Sequence, residues 1–534
     1  MKRIIDNVYL YRPQHNDDPN QIYNITFEDG KITAIKEGRV KDDADQILDG
    51  HGKTLTASFN DSHMHLLRFG LMKEELDLRK VVTWQEMKYE IEQGINERIL
   101  NENDWIVGRG MKDNNFKDIN HLITADELDE VDVDKPLFVL HDSGHECVVN
   151  HKALDILKEE KELSDKHEAF IERDENGEMT GRFKDTAVHF IKFIFRKKSD
   201  REIREAVRSA VPHLLKKGIT SVQTDDLNYA GSYQRLWDAY NELEKKGELP
   251  IKVYLHHYVF NRQGLEDFLN NFDKRSGEGS EHVRIGAVKI FLDGTQRLHT
   301  AAVREPYNDM PGTTGELIYT QEELNELVRL ADQNKMQVTM HAIGDRTIDE
   351  GITAIRDNGS PEMRHRLIHV QTLAPDLLEK LQKSDICVEI QPGSVMKEYN
   401  KYKEWFGEER APYCNMANSI SEYGITFTAS SDTPVDPLDP HNNIFAAVNR
   451  TDREGNPHGG WMPQEKMPVD TAYKAYTETP AYIEFLEEKK GKIEKGFDAD
   501  FILLSDHPKK ISKEKLKDIT VTETWVDGER VYMN

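Results

Sequence analysis

Thiols are scarce in this chain. Its 534 residues include three cysteines, Cys147, Cys387 and Cys414, too few and too scattered for a disulfide framework or a thiolate zinc site. No apolar stretch approaches the ~18–20 residues that a bilayer-spanning helix needs. The opening Met1-Lys2-Arg3-Ile4-Ile5-Asp6-Asn7 has two cations but no apolar segment of the kind a signal peptide carries. Positive charge is short overall: 71 Lys and Arg against 97 Asp and Glu leave a net charge of −26. A surface of that sign repels phosphate, which argues against nucleic acid and against an anionic membrane as partners. The hydrophobic fraction of 37% is low, yet over this length it still supplies a sizeable core. These absences point to a soluble, acidic, cytoplasmic protein of more than one domain.

What is present is first a matter of texture. The N-terminal 55 residues read as short strands, Ile4–Leu10 and Ile22–Phe27, rich in β-branched and aromatic side chains. Asp29-Gly30 then marks a hairpin turn, because both residues tolerate positive φ. The C-terminus repeats this pattern in Phe501–Leu504, Val521–Val526 and a second Asp-Gly turn at Asp527-Gly528. Matching ends around a different middle predict one small β-sandwich domain built from residues 1–55 and 485–534. The middle, 56–484, alternates short apolar runs with helical stretches such as Glu322–Asn334 and Pro375–Ser384, the texture of a parallel α/β fold. Eight runs qualify as strands, beginning with Leu55–Phe59 and ending with Ile425–Ala429. Eight strand–helix units over roughly 380 residues predict a (β/α)8 TIM barrel. Residues 70–200 break the rhythm with extra apolar pieces at Trp105–Gly108 and Pro136–Leu140. They predict an insertion after the first barrel strand that caps the barrel mouth.

The chemistry is legible in where polar residues fall on those strands. His63 and His65 follow the first strand, and residues two apart in extended chain point the same way, so both imidazoles can converge on one cation. Lys289 lies in the fourth strand, His341 ends the fifth, His369 lies late in the sixth, and Asp432 follows the eighth. The C-terminal ends of barrel strands are where this fold places catalytic groups. Imidazoles and a carboxylate without thiolate suit Zn²⁺ or another borderline divalent ion that keeps a position open for water.

Asp61-Ser62-His63-Met64-His65, Val288–Gly294, Glu305-Pro306-Tyr307, His341–Arg346, Ile368–Gln371, Ser431–Pro434 and the tail Gly491–Phe501 together resemble the amidohydrolase superfamily, in the branch of N-substituted formamide deformylases. The resemblance implies one metal position at His63, His65 and Asp432, and a second at His341 and His369. It implies that Lys289 bridges the two if CO2 carboxylates its amine. The match is incomplete: Ala57-Ser58-Phe59 stands where the family has Pro-Gly-Phe, and Arg297-Leu298-His299 replaces a small-residue run that bears on substrate. In the insertion, His141-Asp142-Ser143-Gly144-His145 resembles a segment that reaches over the active site, making His141 and His145 candidate substrate contacts, with Arg109 a third.

The implied activity is metal-dependent hydrolysis of a non-peptide carbon–nitrogen bond, an amide or N-substituted formamide, with one or two divalent ions, Zn²⁺ foremost. Asp432 would act as general base and then general acid, and His341 or His369 would stabilise the oxyanion. Deamination, cyclic-amide hydrolysis, an isomerase or lyase, and a binding protein without catalysis are the alternatives that a barrel permits. The partner expected is a small-molecule substrate. A homodimer is expected only because C2 dimers are the commonest soluble oligomers.

Overall fold

The computed structural model describes residues 1–534 except 42, 97–103, 132–133, 143–145, 160–167, 185–186, 189–190 and 192–197. The chain forms two compact units, one of Met1–Leu66, Ala210–Asn228 and Ser232–Asn534, the other of Leu67–Ser209 with Tyr229–Gly231.

The first unit holds a parallel eight-stranded sheet. Its strands are β1 (Phe59–Met64), β2 (Ile219–Asp225), β3 (Lys252–Tyr258), β4 (Val283–Phe291), β5 (Val338–Ala342), β6 (Arg366–His369), β7 (Cys387–Ile390) and β8 (Phe427–Ala429). Each pairs in parallel with its neighbour from β1 through β8. The last gap is closed by polar contacts between β1, β8 and the segments after them. Ser62 Oγ donates to Thr428 Oγ1 at 2.8 Å and Ser431 N–H to Asp61 at 3.0 Å. Helices fill the intervals, and the two predicted by range occupy Gln321–Gln333 and Pro375–Gln382. The former begins in a capping box, Thr320 with Glu323. Among the described residues no helix is long and apolar enough to cross a membrane.

One strand differs from the sequence reading. Leu55–Phe59 was expected to open the barrel, but Thr54–Ala57 belongs to the sheet of the chain ends, pairing with Lys2–Leu10 and Phe501–Leu504. The chain changes sheets at Ser58, and β1 is the polar run Phe59-Asn60-Asp61-Ser62-His63-Met64. Every residue from Thr54 to Met64 is buried, so apolar content cannot tell the two strands apart. Weak β-propensity in Asn-Asp-Ser is overridden by pairing with β2 on one side and polar contacts with β8 and the segment after it on the other.

The terminal sheet joins strands from both ends of the chain. Lys2–Leu10 pairs along its length with Ile22–Glu28, while its other edge pairs first with Gln46–Asp49 and then with Thr54–Ala57. Phe27 and Trp525 stand on strands four places apart in this order, about 19 Å in a flat sheet. Their ring centroids are 5.8 Å apart, so the sheet folds over itself and closes a sandwich around Phe27, Phe501 and Trp525. Both Asp-Gly turns form as predicted, with φ of 48° and 75° at Asp29 and Gly30 and 50° and 73° at Asp527 and Gly528, the type I′ signature. Lys252, at the start of β3, ties this domain to the barrel. Its buried ammonium donates to Asp498, Asp500 and Asp527 at 2.8, 2.7 and 2.9 Å.

The second unit is built on a six-stranded sheet in which Leu76–Asp77, Ile106–Met111 and Leu137–His141 run parallel, and Glu146–Val149, Met179–Lys184 and Ile171–Arg173 continue antiparallel. Alternation along Leu137–His141 sends Leu137 and Val139 into one apolar cluster and Phe138 into another, so both faces of the sheet are covered. The two apolar pieces that broke the barrel rhythm are therefore strands of this separate sheet.

Burial of imidazole gives the first unit a predictable acid sensitivity. His257 on β3 stacks on Phe268 at 3.9 Å, and burial pushes its pKa down to about 3. Burial likewise pushes His441 down to about 4. An unfolded chain binds these protons near pH 6.5, so it takes up more protons than the folded one between about pH 6.5 and 3. Stability contributed by neutral His257 is complete above that window and is lost as pH falls through it. The melting temperature of His257→Phe should thus depend less steeply on pH between 7 and 4 than that of the parent; equal slopes would refute the assignment.

Candidate active site

The end of β1 delivers His63 and, just past it, His65, and alternation places both rings against one carboxylate. His63 Nε2 and His65 Nε2 lie 3.4 and 3.3 Å from the same oxygen of Asp432. The backbone explains the fit: Asp432 N–H donates to His63 O at 2.9 Å and His65 N–H to Thr433 O at 2.8 Å, so the segment after β8 is laced to β1. Asp432 itself has φ of 54°, a left-handed conformation that aspartate tolerates better than most residues.

His369 reaches the same place by a different device. Arg366 faces the barrel axis, donating to Gln223 on β2, so alternation along β6 would aim His369 outward. Positive φ at His369 and Val370, 77° and 45°, turns the ring back. Its donor then lies within 4.8 Å of those of His63 and Asp432, a grouping that could hold a metal ion. His341 on β5 follows, its ring centroid 4.5 Å from that of His369. The resemblance implied two positions, one at His63, His65 and Asp432 and one at His341 and His369; the grouping whose donor atoms lie within 4.8 Å of one another draws on both, His63, His369 and Asp432.

The rings are oriented by a second layer that sequence reading missed. His65 Nδ1 meets the carbonyl of Asp225 at 3.0 Å, His369 Nδ1 meets Gln391 Oε1 at 2.7 Å, and His341 Nε2 meets the carbonyl of Gly294 at 2.9 Å. Each contact places a proton on the bonded nitrogen; at His341 and His369 it leaves the other nitrogen as a lone pair, the arrangement metal-ligating histidines use, while His65 gives its second nitrogen to the hydrogen bond with Asp432. Asp293 accepts from the N–H groups of Ala302, Ile343 and Gly344, fixing the turn after His341. Asp293-Gly294 stood out in the sequence only as a motif. Gln391 gave no signal, since a glutamine at a strand end has no periodicity of its own.

Burial governs the charges. It pushes His63 and His341 well below the ordinary imidazole range and His369 down to about 4, so these rings are neutral donors. Burial opposes the charged form of Asp432, but the hydrogen bond with His65 and the positive charge of nearby His65 and Lys289 outweigh it and hold the carboxyl below its usual range; the same hydrogen bond raises His65 against the opposing effect of its burial. Lys289, on β4 beside Tyr258 and Thr339 in register, has no solvent exposure. Its Nζ has no hydrogen-bond partner among the described residues, and burial, partly offset by Asp225, Glu389 and Asp432, pushes its pKa down to about 8. The floor beneath is charged as well: Arg366 and Glu389, both without exposure, pair at 3.3 Å.

The remaining candidates belong to the other unit. Arg109 sits on Ile106–Met111 with its Nε 3.4 Å from Glu75, and His141 ends Leu137–His141. His145 lies outside the described residues. A second acidic group, Asp498, Asp500 and Asp527, is filled by the Lys252 ammonium described above.

A parallel barrel with imidazoles and a carboxylate gathered at the C-terminal ends of its strands defines the class of barrel hydrolases. The chain belongs to the amidohydrolase family, whose model matches residues 46–532. It is 30% identical over 541 residues to the amidohydrolase YtcJ of Bacillus subtilis (strain 168), covering 100% of this chain and 99% of that one. It is 24% identical over 513 residues to the N-substituted formamide deformylase of Arthrobacter pascens, covering 93% and 92%. Among solved structures, an uncharacterized metal-dependent hydrolase of Pyrococcus furiosus superimposes with a TM-score of 0.77 at 25% identity, over 95% of this chain and 100% of that one. The chain is accordingly a hydrolase.

Proposed function

We propose that this hydrolase is metal-dependent and cleaves a non-peptide carbon–nitrogen bond, an amide or an N-substituted formamide. The observation that carries the reading is the convergence of His63, His369 and Asp432 within 4.8 Å, with His65 3.3 Å from the same carboxylate. The similarity to a formamide deformylase supports the bond type. The donor set fits a divalent ion, since the buried neutral imidazoles of His63 and His369 and the ionised Asp432 carboxylate offer lone pairs, and Zn²⁺ suits that set best. A bound ion supplies a Lewis acid for the carbonyl and lowers the pKa of water toward neutrality. Asp432 takes the proton from the attacking water and returns it to the leaving nitrogen, so one carboxylate serves as base and then acid. His341 and His369, with His63 and His65, would hold the metal and compensate charge building on the carbonyl oxygen.

Lys289 completes the site as a carbamate. The neutral amine would attack the carbon of CO2 and lose an N–H proton to solvent, turning Lys289 into an anionic ligand for the ions that the histidines and Asp432 would hold. Its support is the amine's full burial and lack of a hydrogen-bond partner among the described residues, where burial brings its pKa down to about 8 and so frees part of the amine to react.

Chelation should abolish turnover of N-formyl and N-acyl amines, and Zn²⁺, Mn²⁺ or Co²⁺ should restore it. Full turnover by metal-free protein would end the reading, and activity confined to aminopurine-like or cyclic amide substrates would move it to deamination or ring opening. For the bridge, metal analysis should count two ions in the parent and one in Lys289→Ala. One ion in both removes it.

A further inference from the structure

Among the described residues three arginines are buried, Arg182, Arg366 and Arg450. Two have an acid within reach: Arg182 pairs with Asp113 at 2.6 Å and Arg366 with Glu389 at 3.3 Å. Arg450, which ends the helix Pro440–Asn449, has no carboxylate partner among the described residues. Its Nε donates to Trp461 O at 3.0 Å and its Nη1 to Asn415 O at 2.9 Å, while Nη2 meets no acceptor. The charge of Glu465 reaches it only through space, and both oxygens of that carboxylate accept from Ser419. Burial pushes the guanidinium down to about 10, which leaves it charged at neutral pH. Carbonyls and a helix end supply partial charge, about half a unit at most for the latter, and an unpaired buried cation is costly.

Four residues close a circuit at this guanidinium. Arg450 bonds Trp461 and Asn415, Asn415 Nδ2 donates to the Tyr402 hydroxyl at 2.6 Å, and the rings of Tyr402 and Trp461 lie 5.8 Å apart. Trp461 N–H closes it from the other side, donating to Arg450 O at 2.7 Å. The circuit carries three donors without an acceptor among the described residues: Arg450 Nη2, Trp461 Nε1 and the proton of the Tyr402 hydroxyl. Burial holds that phenol well above its ordinary range, so a phenolate does not supply the missing charge. Converging donors around an unpaired cation are the chemistry of an anion site. Tyr402 and Trp461 belong to a buried apolar cluster with Val303, Val395, Phe406 and Cys414, where a polyatomic oxyanion would leave oxygens without donors. We propose that Arg450, Trp461 and Tyr402 hold a small monovalent anion of halide size. None of these residues belongs to the metal-holding set. The ion braces that site from behind, because Asn415 N–H donates to Gln371 O at 2.8 Å, two residues beyond His369.

Sodium bromide is the structural probe. Crystals of the parent grown in it should show an anomalous bromine peak within hydrogen-bonding reach of Arg450 Nη2 and Trp461 Nε1. In solution, replacing gluconate by chloride at constant ionic strength should raise the melting temperature of the parent by about 1–4 °C, because an ion that binds only the folded chain stabilises it. Arg450→Met should lose that response entirely, and Trp461→Phe should lose at least half of it. Trp461→Phe keeps the aromatic body and the main-chain carbonyl that Arg450 Nε uses, so the comparison stands even if Arg450→Met does not fold. No bromine peak at these atoms, or a chloride response as large in Trp461→Phe as in the parent, would overturn the site.

Discussion

Asp432→Asn should lose roughly 10²–10⁴-fold in kcat, the usual contribution of general acid–base catalysis, while keeping its metal. The amide retains the size of the carboxylate and an oxygen facing His63 and His65, which approach Asp432 at 3.4 and 3.3 Å, but it cannot accept a proton from water. Metal content measured alongside rate separates two roles. If Asp432 is only a ligand, metal and turnover fall together; if it moves the proton, turnover collapses in protein that is still loaded. Near-native turnover by metal-replete Asp432→Asn would exclude the shuttle. The same logic gives the pH profile a side, because the Asp432 carboxyl is held below its ordinary range. The parent should therefore keep its base ionised throughout neutral pH.

The second large effect is on stability. Arg366 and Glu389 sit wholly buried under the site, 3.3 Å apart, with Glu389 also accepting from Thr339 at 3.1 Å. Arg366→Met strands a carboxylate in a dry interior, where breaking one half of a buried pair costs about 3–5 kcal/mol. The double replacement Arg366→Met with Glu389→Leu removes the stranded charge and should recover most of that loss. Thermal unfolding of the two variants checks this, and a double variant as unstable as the single one would refute the pairing argument. Arg366 also bonds Gln223 and approaches His256 at 3.1 Å, so part of the loss should persist in both.

The amino-acid sequence by itself determined the architecture, because local chemistry carried it. Asp29-Gly30 and Asp527-Gly528 favour type I′ turns between flanking strands, and apolar runs separated by helical spacing point to a parallel barrel with an interruption between its first two strands. His63 and His65 were legible as a pair because extended chain repeats every two residues. Periodicity could not show which sheet Thr54–Ala57 joins, since buried strands of the terminal sheet and of the barrel look alike in composition. It would have sent His369 the wrong way, because the left-handed turn at His369 and Val370 is imposed by packing around the strand end and leaves no mark in residue type. The second layer was hidden for a related reason. Gln391, the Asp225 carbonyl and the Gly294 carbonyl act only through a histidine brought beside them by closure of the barrel. Where a residue's role comes from the chain next to it in sequence, the sequence is enough; where it comes from a strand many residues away, only the tertiary structure decides.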